Sequence, residues 1–211
     1  MSHGRRWSLF PPSRGPTSFT ASCERPRDRC TVDGRVEALS RFTRERITLL
    51  GFIYTSCMDP EGCPLAYRVF GRLKDEIEAH PALRDEVQLV SLSFDPARDS
   101  PSVMKRYAGS RLEEDRGLRW FFLTTRSVAD LLPLVEGFGQ DVRYSEDRST
   151  GMPVRQLSHV LKVSLIDRAG YVREIYTSTF LHPRSIMGDI ETLLMEQRSE
   201  GDPARSATSA R

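Results

Sequence analysis

Two thiols near the end of one apolar run are the residues best suited to chemistry here. Cys57 and Cys63 bracket the connector Met58-Asp59-Pro60-Glu61-Gly62, and Pro64 follows at once. Upstream, Ile47 to Tyr54 is rich in β-branched and aromatic residues and carries no charge or proline, the pattern of a strand buried on both faces. Downstream, Pro64 suits the first position of a helix, where a missing N–H costs nothing. The order is therefore strand, thiol, loop, thiol, helix. A thiol at a helix N-terminus meets the positive end of the dipole, which favours thiolate. Thiolate is the form that attacks disulfides or binds a soft metal. Cys23 and Cys30 lack any such setting, and their spacing in a polar, proline-rich stretch leaves them incidental or a second pair.

The elements needed to hold such a site follow in regular alternation. Asp33-Gly34 marks a tight turn, with Val36 to Leu39 returning. Leu65, Val69, Leu73 and Ile77 recur every fourth residue, predicting a helix over Pro64 to Ala79 whose polar face carries Arg68, Arg72, Lys74, Asp75, Glu76 and Glu78. Val87 to Ser93 reads as a second strand. Pro101 to Ala108 reads as a short helix capped by Ser100, and Leu118 to Leu123 as a third strand in which Trp120, Phe121 and Phe122 are core and rim. Ser127 to Gly139 looks helical, with Pro133 expected to kink it or delay its start. Leu157 to Asp167 and Tyr171 to Thr177 read as two long strands joined at Arg168-Ala169-Gly170, and Ser185 to Gln197 as a closing helix. Strands alternating with helices predict a three-layer α/β domain, and two thiols where a strand meets a helix suggest a thioredoxin-like fold: a central mixed sheet flanked by helices, with a C-terminal β-hairpin and helix.

Composition bounds the rest. The chain has 211 residues, 38% hydrophobic and 28% charged, with a net charge of +2. That balance is no argument for nucleic acid. Residues 1–30 carry six arginines against Glu24 and Asp28, so the basic excess is confined to an arm expected to be disordered; residues 31–198 form the expected domain and 199–211 a disordered tail. No apolar run approaches the roughly 18 to 20 residues that cross a bilayer, and no export signal is visible.

Four stretches in order resemble the Sco/SenC family, thioredoxin-fold copper-binding assembly factors of cytochrome c oxidase. They are Gly51 to Cys57 with Cys63-Pro64; Ser91 to Ala108, holding Asp95-Pro96, Asp99-Ser100-Pro101 and Tyr107-Ala108; Trp120 to Thr124; and Ser158 to Val172. The resemblance implies copper ligation by Cys57, Cys63 and His159, a donor set that suits Cu(I) and can hold Cu(II). It implies delivery to a cytochrome c oxidase subunit or another copper-receiving apoprotein, with a thiol reductant as a further partner. It also implies the periplasm or outer face of an inner membrane, or the equivalent mitochondrial space. His159 is read here as beginning a strand. This chain departs from the family in two places: five residues separate its cysteines where three are usual, and Ser158 stands where an acidic residue usually precedes the histidine.

Other residues have two readings each. Met58 is a further soft donor or an exposed loop residue. Asp95 and Asp99 orient the site loop or serve as caps and turns. His3, His80 and His182 are incidental. The function itself has three readings: a copper metallochaperone that does no covalent turnover; a thiol-disulfide oxidoreductase in which Cys57 and Cys63 are the catalytic pair; and a non-catalytic binding module whose site has degenerated.

Overall fold

The computed structural model describes residues 29–32, 34–112, 117–147 and 154–200. Cys23, His3, most of the arm 1–30 and residues 201–211 lie outside them.

The longest unbroken apolar strand is central, as its burial demands. β3 (Ile47–Ile53) is buried at every position and lies between β4 (Val87–Ser93), parallel to it, and β8 (Lys162–Ile166), antiparallel to it. β5 (Arg119–Leu123) adds in parallel beyond β4, and β9 (Val172–Thr177) in antiparallel beyond β8. The sheet therefore runs β5-β4-β3-β8-β9. Alternate residues of β3 serve two cores, because successive side chains point to opposite faces. Ile47, Leu49 and Ile53 pack with α1 (Cys63–Glu78), α3 (Pro101–Ala108) and α5 (Pro183–Glu200). Leu50 and Phe52 pack with α4 (Val128–Gly137) and the turn holding Leu39 and Phe42. These are the three layers of a thioredoxin-like α/β domain. A one-turn helix, α2 (Pro81–Arg84), links α1 to β4.

Two small hairpins stand outside the main sheet. β1 (Arg29–Val32) pairs with β2 (Arg35–Ala38) around a turn in which Gly34 has φ 81°, a left-handed value that glycine takes without steric cost. β6 (Val142–Asp147) pairs with β7 (Val154–His159).

The second hairpin corrects the sequence reading. The stretch expected to be one strand from Leu157 to Asp167 is two strands, broken at Val160-Leu161, and they belong to different sheets. His159 consequently ends β7 and begins no strand. Lys74 is a second correction. Placed on the polar face of α1 by its periodicity, it is fully buried, ion-paired with Glu78 and donating to the Leu118 carbonyl at 3.3 Å. Glu78 accepts from the Leu118 N–H at 3.0 Å in turn. The pair thus ties the C-terminal end of α1 to the entry of β5. Pro133 lies within α4, which starts at its Ser127 cap; the Ser127 side chain accepts from the Asp130 N–H.

Candidate metal centre

The site forms where β3 ends. Past Ile53 the chain must turn from the sheet into α1, and it does so through two tight turns: the Cys57 N–H donates to the Tyr54 carbonyl at 3.2 Å, and the Gly62 N–H to the Asp59 carbonyl at 3.0 Å. Asp59 also accepts from the Glu61 N–H through its side chain, at 3.0 Å, the local bonding for which aspartate is favoured in turns. The second turn folds the five-residue connector back, so Cys57 approaches the start of α1. Gly62 is needed there for space: a Cβ at that position would sit 3.2 Å from Cys57 Sγ and 3.3 Å from the Asp59 carbonyl.

The loop is anchored from below by Asp99, which is 1% exposed. Its carboxylate accepts from the Thr55 N–H at 3.0 Å, the Thr55 hydroxyl at 2.5 Å and the Ser93 hydroxyl at 2.6 Å. Of the two roles open to Asp99, orienting the site loop is the one its bonds describe. Asp95 serves the adjacent turn: its carbonyl accepts from the N–H groups of Arg98 and Asp99. Ser100 caps α3 through a bond from the Val103 N–H.

These constraints bring the two thiols to His159, which arrives from the end of β7. One donor atom each of Cys57, Cys63 and His159 lies within 4.8 Å of the others. Cys63 Sγ lies 3.6 Å from His159 Nε2. Both cysteines are free thiols. The imidazole is wedged against aromatic rings, edge-on to Phe94 at 4.6 Å and Tyr54 at 5.8 Å between centroids. Its Nδ1 is buried without a well-formed hydrogen bond among the described residues, although the Val160 backbone acts on the ring. A proton on Nδ1 leaves the Nε2 lone pair facing the sulfurs. Ser158, the other departure from the family pattern, has no described side chain.

The electrostatics correct the thiolate expectation. Cys63 does open α1, yet burial pushes its thiol far above the ordinary cysteine value; the Tyr54 N–H, donated to Cys63 Sγ at 3.4 Å, opposes this, and charge on Cys57 adds to it. Gly62 caps the helix without a side-chain bond, and desolvation of a fully buried sulfur outweighs the dipole. Burial lowers His159, with the Val160 backbone and Asp59 opposing, so its imidazole is neutral near pH 7. The two sulfurs are soft donors sheltered from water: Cys63 is fully buried and Cys57 is 9% exposed.

Sequence reasoning singled out all three donors and gave no supporting role to Thr55 or Phe94. The glycine beside Cys63 was the readable signal, since a turn folding back on a thiol needs a residue without a side chain. Met58 is 90% exposed, in keeping with a loop residue. His80 bonds the Glu76 carbonyl through Nδ1 at 2.8 Å, and His182 is exposed; neither joins the site.

In this thioredoxin-like domain two thiols and an imidazole converge at the strand-to-helix junction, a group that could hold a metal ion. Residues 33–195 match the family model described as SCO1/SenC, and the chain belongs to that family. Similar solved structures include apo Sco1 from Thermus thermophilus, with 22% identity over 78% of this chain and 88% of that one and a TM-score of 0.62. Another is ScoI from Bradyrhizobium japonicum with copper bound, with 19% identity over 78% and 96% and a TM-score of 0.57. A third is BsSco, a member of the Sco family of cytochrome c oxidase assembly proteins in which a disulfide switch was identified; it shows 23% identity over 78% and 90% and a TM-score of 0.58. No curated protein matches the sequence.

Proposed function

We propose that this protein is a copper metallochaperone, holding one copper ion between Cys57 Sγ, Cys63 Sγ and His159 Nε2 and passing it to a cytochrome c oxidase-type apoprotein. The observation that carries the reading is the convergence of three soft or borderline donors within 4.8 Å, despite a connector longer than the family's usual one. Two sulfurs and an imidazole suit copper in either oxidation state. The copper bound to ScoI of Bradyrhizobium japonicum supports the choice of metal. The working unit is the domain at residues 31–198.

Copper is cargo in this scheme, and transfer is ligand exchange. Cys63 is fully buried, Cys57 is at the margin, and His159 is partly exposed. A donor from the receiving protein therefore meets His159 and Cys57 first, and Cys63 is the last to release the ion. Binding of the metal also resolves the resting electrostatics, because a cation against Cys63 compensates the burial that keeps the thiol protonated.

Thiol-disulfide exchange by Cys57 and Cys63 uses the same loop. Cys63, buried and protonated, is poorly suited to attack, which leaves that role to the more accessible Cys57. A degenerate binding module has less support, since a retired site has no need to bring three donors together. The deciding experiment is anaerobic Cu(I) titration under a competing chelator. One tight equivalent is expected, lost in the Cys57→Ser, Cys63→Ser double variant and at least about tenfold weaker in His159→Ala. Affinity unchanged in the double variant would overturn the proposal.

A further inference from the structure

His159 is held differently from its partners. Cys57 and Cys63 flank a loop rooted in β3 and α1, inside the main fold. His159 is the last residue of a hairpin that is not hydrogen-bonded to the main sheet, so no strand ladder carries it to the thiols. Its placement depends on what grips the chain between β7 and β8, which is the segment Val160-Leu161.

Leu161 is buried in the main core, and one polar side chain among the described residues holds the backbone beside it. Gln140, just beyond α4, is 4% exposed, and its amide nitrogen donates to the Val160 carbonyl at 2.8 Å and to the Asp141 carbonyl at 3.3 Å. Gln140 is itself fixed, its N–H bonded to the Val135 carbonyl at 2.9 Å in the last turns of α4. Lys162, on the other side of the break, donates to the Gly139 carbonyl at 2.5 Å and lies 3.7 Å from Asp141. The turn Gly139–Asp141 therefore clasps the chain on both sides of Leu161, and Gln140 holds the Val160–Leu161 peptide, one residue beyond His159. A buried amide donating twice to main-chain carbonyls is costly to disturb, because its loss leaves those carbonyls without the partner they have in the fold.

We infer that Gln140 is a positioning residue of the copper site: it touches neither thiol nor imidazole, and it sets where the His159 ring stands by fixing the Val160 carbonyl. This rests on the three-donor reading above. Nothing in the local sequence announces the role, since Gln140 lies 19 residues before His159 in a turn between a helix and a hairpin. The contact makes α4, on the far face of the sheet, part of the frame of the metal site.

The test is a double-mutant cycle between Gln140→Ala and His159→Ala, read by Cu(I) affinity under chelator competition, with thermal unfolding of each metal-free variant. The expected result is that Gln140→Ala weakens copper about tenfold, at the low end of the effect of residues that orient ligands, and that the same change made in His159→Ala weakens it no further. Gln140→Met keeps the length and removes the donor, and it should behave like Gln140→Ala. The metal-free protein supplies an independent reading. The His159 ring protons, displaced from their random-coil NMR positions by Tyr54 and Phe94, should move towards them in Gln140→Ala. An equal loss of affinity in both backgrounds, or unmoved ring resonances with only a lower unfolding temperature, would make Gln140 structural and overturn the inference alone. A His159→Ala variant that binds copper like the wild type would remove the three-donor reading and this inference with it.

Discussion

Replacing Asp99 by alanine should damage stability and the site together. The carboxylate receives three bonds, two from Thr55 and one from Ser93, and alanine leaves all three donors without their acceptor in a setting where water enters poorly. At about 1 kcal/mol for each net bond, the loss is about 3 kcal/mol. For a domain of this size, where 1 kcal/mol moves the midpoint by about 2 to 4 °C, the unfolding temperature should fall by about 6 to 12 °C. Thr55 precedes Cys57 by two residues, so the released loop no longer presents that thiol at a fixed point, and Cu(I) affinity should fall by about tenfold. Asp99→Asn is the discriminating control. An asparagine oxygen facing Thr55 N–H and Ser93 can keep two bonds, and its NH2 can donate to the Thr55 hydroxyl, so at least half of the stability should return. Thermal unfolding of the metal-free protein and chelator-competed titration measure the two effects. An Asp99→Ala variant that unfolds within 2 °C of the wild type, or that loses stability with copper affinity intact, would refute the claim that this network positions Cys57.

Gly62→Ala should weaken copper binding several-fold with little change in fold, because the added carbon presses on Cys57 Sγ at 3.2 Å; affinity equal to wild type would show that the loop relaxes freely. Tyr176 is raised above the usual tyrosine range by burial and by its bond to Asp189, to which its hydroxyl donates at 2.6 Å. Its contribution is therefore fully present below about pH 10, the unfolded value, and is lost above it at about 1.4 kcal/mol per pH unit. Urea unfolding between pH 9 and 11 should show a shallower alkaline decline in Tyr176→Phe, and equal slopes would contradict this.

The parts of the fold legible in the sequence were those with local physical signals. Val87–Ser93 was readable to the residue because its apolar run is bounded on both sides. Asp33-Gly34 marked the first hairpin, Ser100 the start of α3, and Pro64 the first turn of α1. The break at Val160-Leu161 was not legible, since a strand that leaves one sheet for another keeps its apolar character across the junction. β6 was missed because Arg143, Tyr144, Ser145 and Glu146 show no alternation. Lys74 misled because periodicity assigns charge to solvent, although Glu78 one turn later could have signalled an internal pair. Of the three donors, Cys57 and Cys63 followed from residue chemistry, whereas His159 needed the family resemblance, its meeting with them being made by tertiary structure alone.

On the proposed three-donor site, the placement of the histidine on a separate hairpin would govern the order in which copper meets its ligands. His159 lies 96 positions beyond Cys63, whereas Cys57 lies six positions before it. In the unfolded chain, closing the longer loop costs about 2.5 kcal/mol more than closing the shorter, from 1.5RT ln(96/6). On that proposal, copper meeting a partly folded chain would be captured by the thiol pair first, as a two-sulfur complex, and would gain its nitrogen ligand only when β7 has docked. The third bond would form in the native state alone, so its free energy would add to the stability of that state. Tight copper binding would thereby report the docking of the β6-β7 hairpin as well as the folding of the cysteine loop.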